Sequence, residues 1–320
     1  MTQTRLLDPN RSLPLLVEAD ASEAADPNFL ISWYRDNEEE VERKILEHGA
    51  ILFRGFGVNT PSAFARVTRS VSSGLQECVE ENVPRTKLSS GVYTSTEYPP
   101  EYMLSMHSEY SYSHHWPRRL FFCCITAAQT GGETPIADNR EVLKDLPPEV
   151  VDGFRRKQVK YLRNLHSGQG FGLPWQTAFQ TTDRAVVEEY CRSSGIELRW
   201  REDGGPSLSQ TLAGIVTHPK TGDEVWFNQA PQFHPSDYPE EIFKSVLAVY
   251  KTEDDLPQNV RFGDDSPIDV DVLRTVRETM KNRAVVFPWQ EGDLLMLDNV
   301  LVSHGRMPFT GPRKILVAMS

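Results

Sequence analysis

The chain has few cysteines, no long apolar run and a deficit of positive charge, and each of these excludes a class of protein. Four cysteines, Cys78, Cys123, Cys124 and Cys191, stand among 320 residues with no C-x-x-C spacing, which argues against a disulfide scaffold or a thiolate metal site. They are expected to be reduced and mostly buried, with the neighbours Cys123 and Cys124 on opposite faces of a strand. The longest apolar run, Leu120 to Ala128, is too short to span a bilayer. The opening MTQTRLLDPNRSLPLLVEAD lacks the unbroken apolar core of a signal peptide, so a cytoplasmic protein is expected. Lys and Arg number 34 against 45 Asp and Glu, a net charge of -11, and the acidic residues are spread rather than clustered. Nucleic acid and anionic membranes are therefore poor partners.

Repeats, low-complexity tracts and Gly/Ser linkers are also missing, so the reading is one domain over residues 1–320, with an insertion at about 140–280. What is present alternates between helix and strand. Asp26-Pro27 reads as an N-cap and first helical residue, opening a helix that runs to Gly49. AILFRGF follows as a strand, then a helix capped by Thr60 with Pro61 at its start. Residues 76–103 are polar and irregular, a candidate lid or substrate-contacting loop. Strand-like pieces then dominate: RLFFCCITAA, VKYLRNL, IELRWRE, LSQTLAGIVTH, EVWFNQ, RAVVFPW, DLLMLDN and KILVAMS. The fold class expected is mostly β with α, a double-stranded β-helix (jelly-roll) core with flanking helices.

The chemistry concentrates between Ser105 and Asp138. On an extended segment His107 and Glu109 leave the same face, about 6.6 Å apart along the strand, which suits two ligands of one metal. A third ligand has to come from elsewhere, and His304, after the apolar strand DLLMLDN and a short turn, is a candidate; the bland alternative is a turn histidine. Arg313 then opens the last strand, where a solvated strand end is the ordinary reading.

His107-x-Glu109, Thr134, His304 and Arg313, together with GGETPIADNR, WFNQAPQFHP and HGRMPFTGPRKILVAM, resemble the signature of the iron(II)- and 2-oxoglutarate-dependent oxygenases of the TauD/TfdA superfamily. The likeness runs from about Ala50 onward and is nearest to the SyrP-like branch, which acts on amino acids and in natural-product pathways. It implies that His107, Glu109 and His304 bind Fe(II), leaving room for a bidentate 2-oxoacid and O2. Arg313 would grip the far carboxylate of 2-oxoglutarate as a planar fork, and Thr134, with twenty-four residues between it and Glu109, would donate a hydroxyl to it. Decarboxylation to succinate and carbon dioxide would drive hydrogen abstraction from an unactivated C–H bond, giving hydroxylation or desaturation. A carboxylate at 109 argues against halogenation, whose enzymes keep a small residue there. Arg306 is the competitor of Arg313 for the oxoacid.

The remaining candidates are weaker. Arg118, ahead of an apolar strand, could meet a substrate carboxylate, and Asn228, at the end of EVWFNQ, could touch substrate. His114 and His115 read as turn residues, and His166, His218 and His234 as hydrogen-bonding ones. GGETP lacks the Lys and helix of a phosphate loop and reads instead as a turn presenting Thr134. The expectation is an oxygenase of a small amino-acid-like substrate, free or tethered to a carrier protein, with a homo-oligomer compatible. The rivals are a zinc-dependent hydrolase on the same three ligands and a non-catalytic small-molecule-binding roll.

Overall fold

A computed structural model describes residues 2–20, 26–77, 79–250 and 252–320, so the expectation for Cys78 lies outside the described residues. Mostly β structure with flanking helices is observed. Eight strands form the largest sheet, in the order Gln3–Leu6, Leu15–Glu18, Ala50–Arg54, Leu294–Asp298, Arg119–Thr126, Lys314–Met319, Val92–Thr94, Lys87–Ser89. Leu104–His107, Val302–Arg306 and Ile136–Asp138 make a second sheet of three.

Strand alternation explains how these sheets are used. One face of the large sheet, with Ile51, Phe53, Phe121, Cys123, Leu294 and Met296, packs on the three N-terminal helices. The other face, with Leu52, Leu120, Phe122, Cys124, Leu295, Leu297, Ile315 and Val317, shares one core with Met106, Ile136, Ala137 and Val302 of the small sheet. Cys123 and Cys124 therefore do point to opposite faces, and both are buried. Burying each such Phe or Leu contributes about 1.5–3 kcal/mol, so a one-residue slip of the strand would forfeit both cores at once.

Local capping chemistry accounts for the helices. The Asp26 carboxylate accepts the Asn28 N–H at 2.9 Å ahead of Pro27, and Thr60 caps Pro61–Val71 in the same way. The single helix expected from 27 to 48 is two, Pro27–Asp36 and Glu38–His48. Asn37 divides them: its side-chain amide donates to the Trp33 carbonyl at 2.8 Å and competes with the helical ladder. Gly49 ends the second helix at φ +73°, where a Cβ would come within 2.5 Å of Val302 Cγ2.

Two further expectations are corrected. RAVVFPW forms no strand; Val285 makes one isolated bridge to Ile136, and Pro288 cannot donate to a ladder. The 76–103 segment is not wholly irregular, since Lys87–Ser89 and Val92–Thr94 pair and add an edge to the large sheet. Within the stretch expected as an insertion, Glu197–Trp200, Pro206–Leu212, Val159–Asn164 and Gln258–Phe262 form their own four-stranded sheet.

Candidate active site

The small sheet sets the centre of the site. Its antiparallel register places His304 directly opposite His107, and Ile136 on the other side of His304. The two imidazole rings lie 4.5 Å apart between centroids, with Phe122 of the large sheet packed on His304 at 4.9 Å. The strand ends at His107, so Glu109 does not share an extended segment with it as the spacing predicted. Glu109 opens a turn in which Tyr110 has φ +55°, and the turn aims the carboxylate back between the imidazoles. Glu109 Oε2 is 3.8 Å from His107 Nε2 and 3.7 Å from His304 Nε2.

These three side chains offer ligand atoms within 4.8 Å of one another, all buried. Glu109 Oε2 has no hydrogen-bond partner among the described residues, although leaving a carboxylate oxygen unsatisfied in the interior is costly. Its partner ion is on the other oxygen, Oε1, which accepts from Arg85 Nη2 at 2.9 Å. The Ser105 carbonyl can only accept, so the 2.8 Å contact makes His107 Nδ1 the protonated nitrogen and leaves Nε2 a lone pair facing Glu109. An orphaned carboxylate oxygen between two imidazoles with Nε2 turned inward fits a divalent cation.

Ionisation supports the same fit. Burial would raise the Glu109 carboxyl, but the Arg85 charge, with the imidazoles of His107 and His304 nearby, holds it well below the usual carboxylate range. Burial, with the neighbouring His107 charge, pushes His304 down to about 4. Both groups are therefore in the metal-binding form at neutral pH.

Thr134 and Arg313 meet on one side of this cluster. A cavity is lined by both, together with His107, Glu109, His304, Phe122 and Ile315. Trp289 Nε1 donates to Thr134 Oγ1 at 3.2 Å; an indole N–H cannot accept, so the Thr134 hydroxyl proton is left to point elsewhere. Arg313 lies just ahead of Lys314–Met319, and its Nε donates to the Gly132 carbonyl at 2.8 Å. Burial, with the Arg306 charge, lowers it to about 10, still a cation at neutral pH. Gly131 and Gly132 have φ of +67° and +75°, and a Cβ on Gly131 would sit 2.0 Å from the Pro308 carbonyl oxygen. The double glycine is not the turn expected: Gly131 ends a short strand paired with Phe309–Thr310, and Gly132 carries the carbonyl that orients Arg313.

Arg306 borders the same cavity, but its guanidinium donates to the Tyr98, Pro99 and Tyr102 carbonyls at 2.7–2.8 Å. It ties down the 76–103 segment. Two substrate candidates are corrected. Arg118 lies outside both cavities at the site, half exposed beside Glu42 at 3.5 Å. Asn228 is buried but spends its amide on the Gly214 carbonyl at 2.7 Å and its oxygen on the Ala230 N–H at 3.0 Å, a backbone-bracing role that strand-end position alone could not distinguish from a pocket role. His114 and His115 are exposed in a bend, and buried His218 pairs with Asp298 at 3.3 Å.

Several residues at the site gave no sequence signal. Asn299 accepts the Glu109 N–H at 2.7 Å and donates to the Glu109 and Pro117 carbonyls, both at 2.8 Å, so it fixes the turn that aims Glu109. Gln229 donates to the Ser108 carbonyl at 2.7 Å. With Arg85, Glu81 and Tyr112, Gln229 also lines a second cavity that adjoins the first at His107 and Glu109. Only their polarity inside an irregular stretch hinted at Glu81 and Arg85.

A paired-histidine and carboxylate cluster at a small sheet, flanked by a buried threonine and a half-buried arginine, has the ligand set of a mononuclear metalloenzyme. The chain matches the family described as taurine catabolism dioxygenase TauD, TfdA family, over residues 11–319, and belongs to it; it is an iron- and 2-oxoglutarate-dependent dioxygenase. The zinc-hydrolase and non-catalytic readings fall with that membership. Among its relatives, the dapdiamide synthesis protein DdaC of Enterobacter agglomerans is 37% identical over 304 residues, covering 95% of this chain and 90% of that protein. A clavaminate synthase-like protein of Arabidopsis thaliana is 31% identical, covering 85% and 82%. Of solved structures, PvcB of Pseudomonas aeruginosa aligns with a TM-score of 0.57 at 13% identity over 99% of this chain and 91% of that one. AAD-2, solved with Mn(II) and N-oxalylglycine, aligns at 0.53 with 13% identity over 100% and 96%. Among the described residues no helix is long and apolar enough to cross a membrane.

Proposed function

We propose that His107, Glu109 and His304 hold the iron(II), that Thr134 and Arg313 hold 2-oxoglutarate, and that the enzyme oxidises an unactivated C–H bond of a small amino-acid-like substrate. The observation that carries the metal assignment is the orphaned Glu109 Oε2 between two imidazoles. Bound iron would supply the coordination chemistry by which dioxygen and the oxoacid are brought to react. The side chains around it orient and exclude. The Ser105 carbonyl keeps the His107 proton on Nδ1, Asn299 holds the Glu109 turn by both backbone groups, and Trp289 directs the Thr134 hydroxyl as a donor. Arg313 presents a buried cation to the distal carboxylate, where charge-assisted bonds are strong. Arg306, through three carbonyls, keeps the 76–103 segment over the cavity and water out of it.

The two packed faces of the large sheet and the small sheet opposite one of them support the double-stranded β-helix reading of the core. The natural-product role of DdaC supports an amino-acid-derived substrate, free or on a carrier protein. The test is anaerobic reconstitution with iron(II) and 2-oxoglutarate. The visible charge-transfer band of the chelate should appear, His107→Ala should abolish it, and succinate release across a panel of amino acids should then identify substrate. Tight stoichiometric zinc binding with no band would sink the assignment.

A further inference from the structure

The second cavity, which adjoins the first and is not lined by Thr134 or Arg313, contains one guanidinium, that of Arg85. Its side chain is only 5% exposed, it borders both cavities, and it lies on the 76–103 segment rather than on a sheet. The rest of the lining is amide, phenol, hydroxyl and the His107 imidazole with two apolar side chains, Val83 and Leu104, and Glu81 is the other acidic side chain beside Glu109. A cation so deeply buried is costly unless anions offset it. Glu109 Oε1 does this at 2.9 Å, yet a divalent metal on Oε2 draws on the same carboxylate charge.

We propose that Arg85 is the specificity-determining residue for substrate. It receives a carboxylate entering the second cavity, so the substrate arrives as a free acid with its oxidisable carbon turned toward the metal cluster. A guanidinium fork matches a carboxylate with two parallel N–H bonds, and Glu81 on the same wall suits an ammonium group of the same molecule. The inference rests on the proposed function and narrows it. The group held by Arg85 is not consumed in a thioester, so a tethered substrate would need a second carboxylate. Thr134 and Arg313 do not line this cavity, whereas Arg85 borders it as well as theirs, so the test reads 2-oxoglutarate affinity alongside substrate affinity.

Calorimetry on the Mn(II)- and 2-oxoglutarate-loaded protein tests the assignment without turnover. The probes are the common L-amino acids and their α-carboxamides, titrated in pairs through the millimolar range. The acid of at least one pair should bind about 10-fold or more tighter than its amide, the size expected from losing a charged hydrogen bond. Arg85→Gln should erase that ratio and Arg85→Lys should restore part of it, with 2-oxoglutarate affinity little changed in both. Removing Arg85 also removes a partner of Glu109, so Mn(II) affinity is measured on the same samples; a purely structural Arg85 would weaken Mn(II) and leave the acid-to-amide ratio alone, which would overturn the proposal. Equal binding of acids and amides, no binding by any acid, or a loss of 2-oxoglutarate binding in Arg85→Gln would overturn it too. If the wild-type protein fails to bind 2-oxoglutarate with Mn(II), the functional reading itself falls, which is a separable result.

Discussion

The two adjoining cavities at Glu109 share Arg85, Thr96, Leu104 and His107 but draw the rest of their lining from different material. The oxoacid side takes Phe122, Ile315 and Val317 from long paired strands and sets Thr134 and Arg313 at their margins. The substrate side takes Glu81, Asn82, Arg85, Tyr110 and Tyr112 from a loop and a turn. Groups on paired strands keep their direction because slipping would expose an apolar face, whereas loop side chains are free to differ between relatives without disturbing the core. On the proposed assignment, oxoacid binding is thus housed on the sheet and substrate selection on the loop.

The loop is not slack. Glu80, fully buried, pairs with Arg163 at 3.0 Å and accepts from Gln210 at 3.1 Å, while Asn82 donates to Gln258 at 2.9 Å. All three partners, Arg163, Gln210 and Gln258, lie on strands of the four-stranded sheet. That sheet therefore anchors the substrate wall, much as Arg306 anchors its far end.

The difference between the two sides can be attacked by mutation, starting with what they share. His304→Ala should empty both sides of function: no chelate band with iron(II) and 2-oxoglutarate, and no succinate, with folding checked by circular dichroism. Acid should act on the same shared centre. Because burial holds His304 near 4 in the folded protein, against 6.5 ordinarily, the unfolded chain takes the proton first. Stability of the metal-free protein is then full above pH 6.5 and falls toward about pH 4, by roughly 3 kcal/mol at most from this residue. Half-buried His234, also lowered to about 4 by burial and by the Arg277 charge, adds in the same direction. Denaturant titrations from neutral pH downward measure it, and a flat profile would contradict the buried neutral imidazole.

Arg313→Ala should touch only the oxoacid side, raising the 2-oxoglutarate Kd by about 10- to 100-fold, the loss of 1.5–3 kcal/mol of charged hydrogen bonding. The acid-to-amide ratio on the other side should hold. Thr134→Val should act on the same side but less, about 5-fold in the same Kd for roughly 1 kcal/mol, and it should also cost stability because the buried Trp289 N–H loses its acceptor. Arg118→Ala should move neither side, changing stability by less than about 0.5 kcal/mol, because its pair with Glu42 is solvent-screened.

Much of this enzyme was legible in the residues. Short apolar runs such as RLFFCCITAA and DLLMLDN gave the strands, the two-residue period of a strand gave the opposite faces of Cys123 and Cys124, and the caps at Asp26 and Thr60 gave helix starts. The grouping of His107, Glu109, Thr134, His304 and Arg313 came from their resemblance to a family signature, which a single spacing could not have supplied. Less legible was anything that depends on partners distant in sequence. The division at Asn37, the turn that carries Glu109 past the end of its strand, and the bracing of Asn228 by Gly214 each follow from hydrogen bonds whose local alternatives are nearly equal in energy.

The chain by itself determined which residue types were available for a metal and an oxoacid, because side-chain chemistry and strand periodicity are local properties. Tertiary structure alone decided that His304 stands opposite His107, that Asn299 turns Glu109 between them, and that Arg85 rather than Arg118 is the cation of the substrate cavity. Each of those contacts joins segments that only sheet register and core packing bring together.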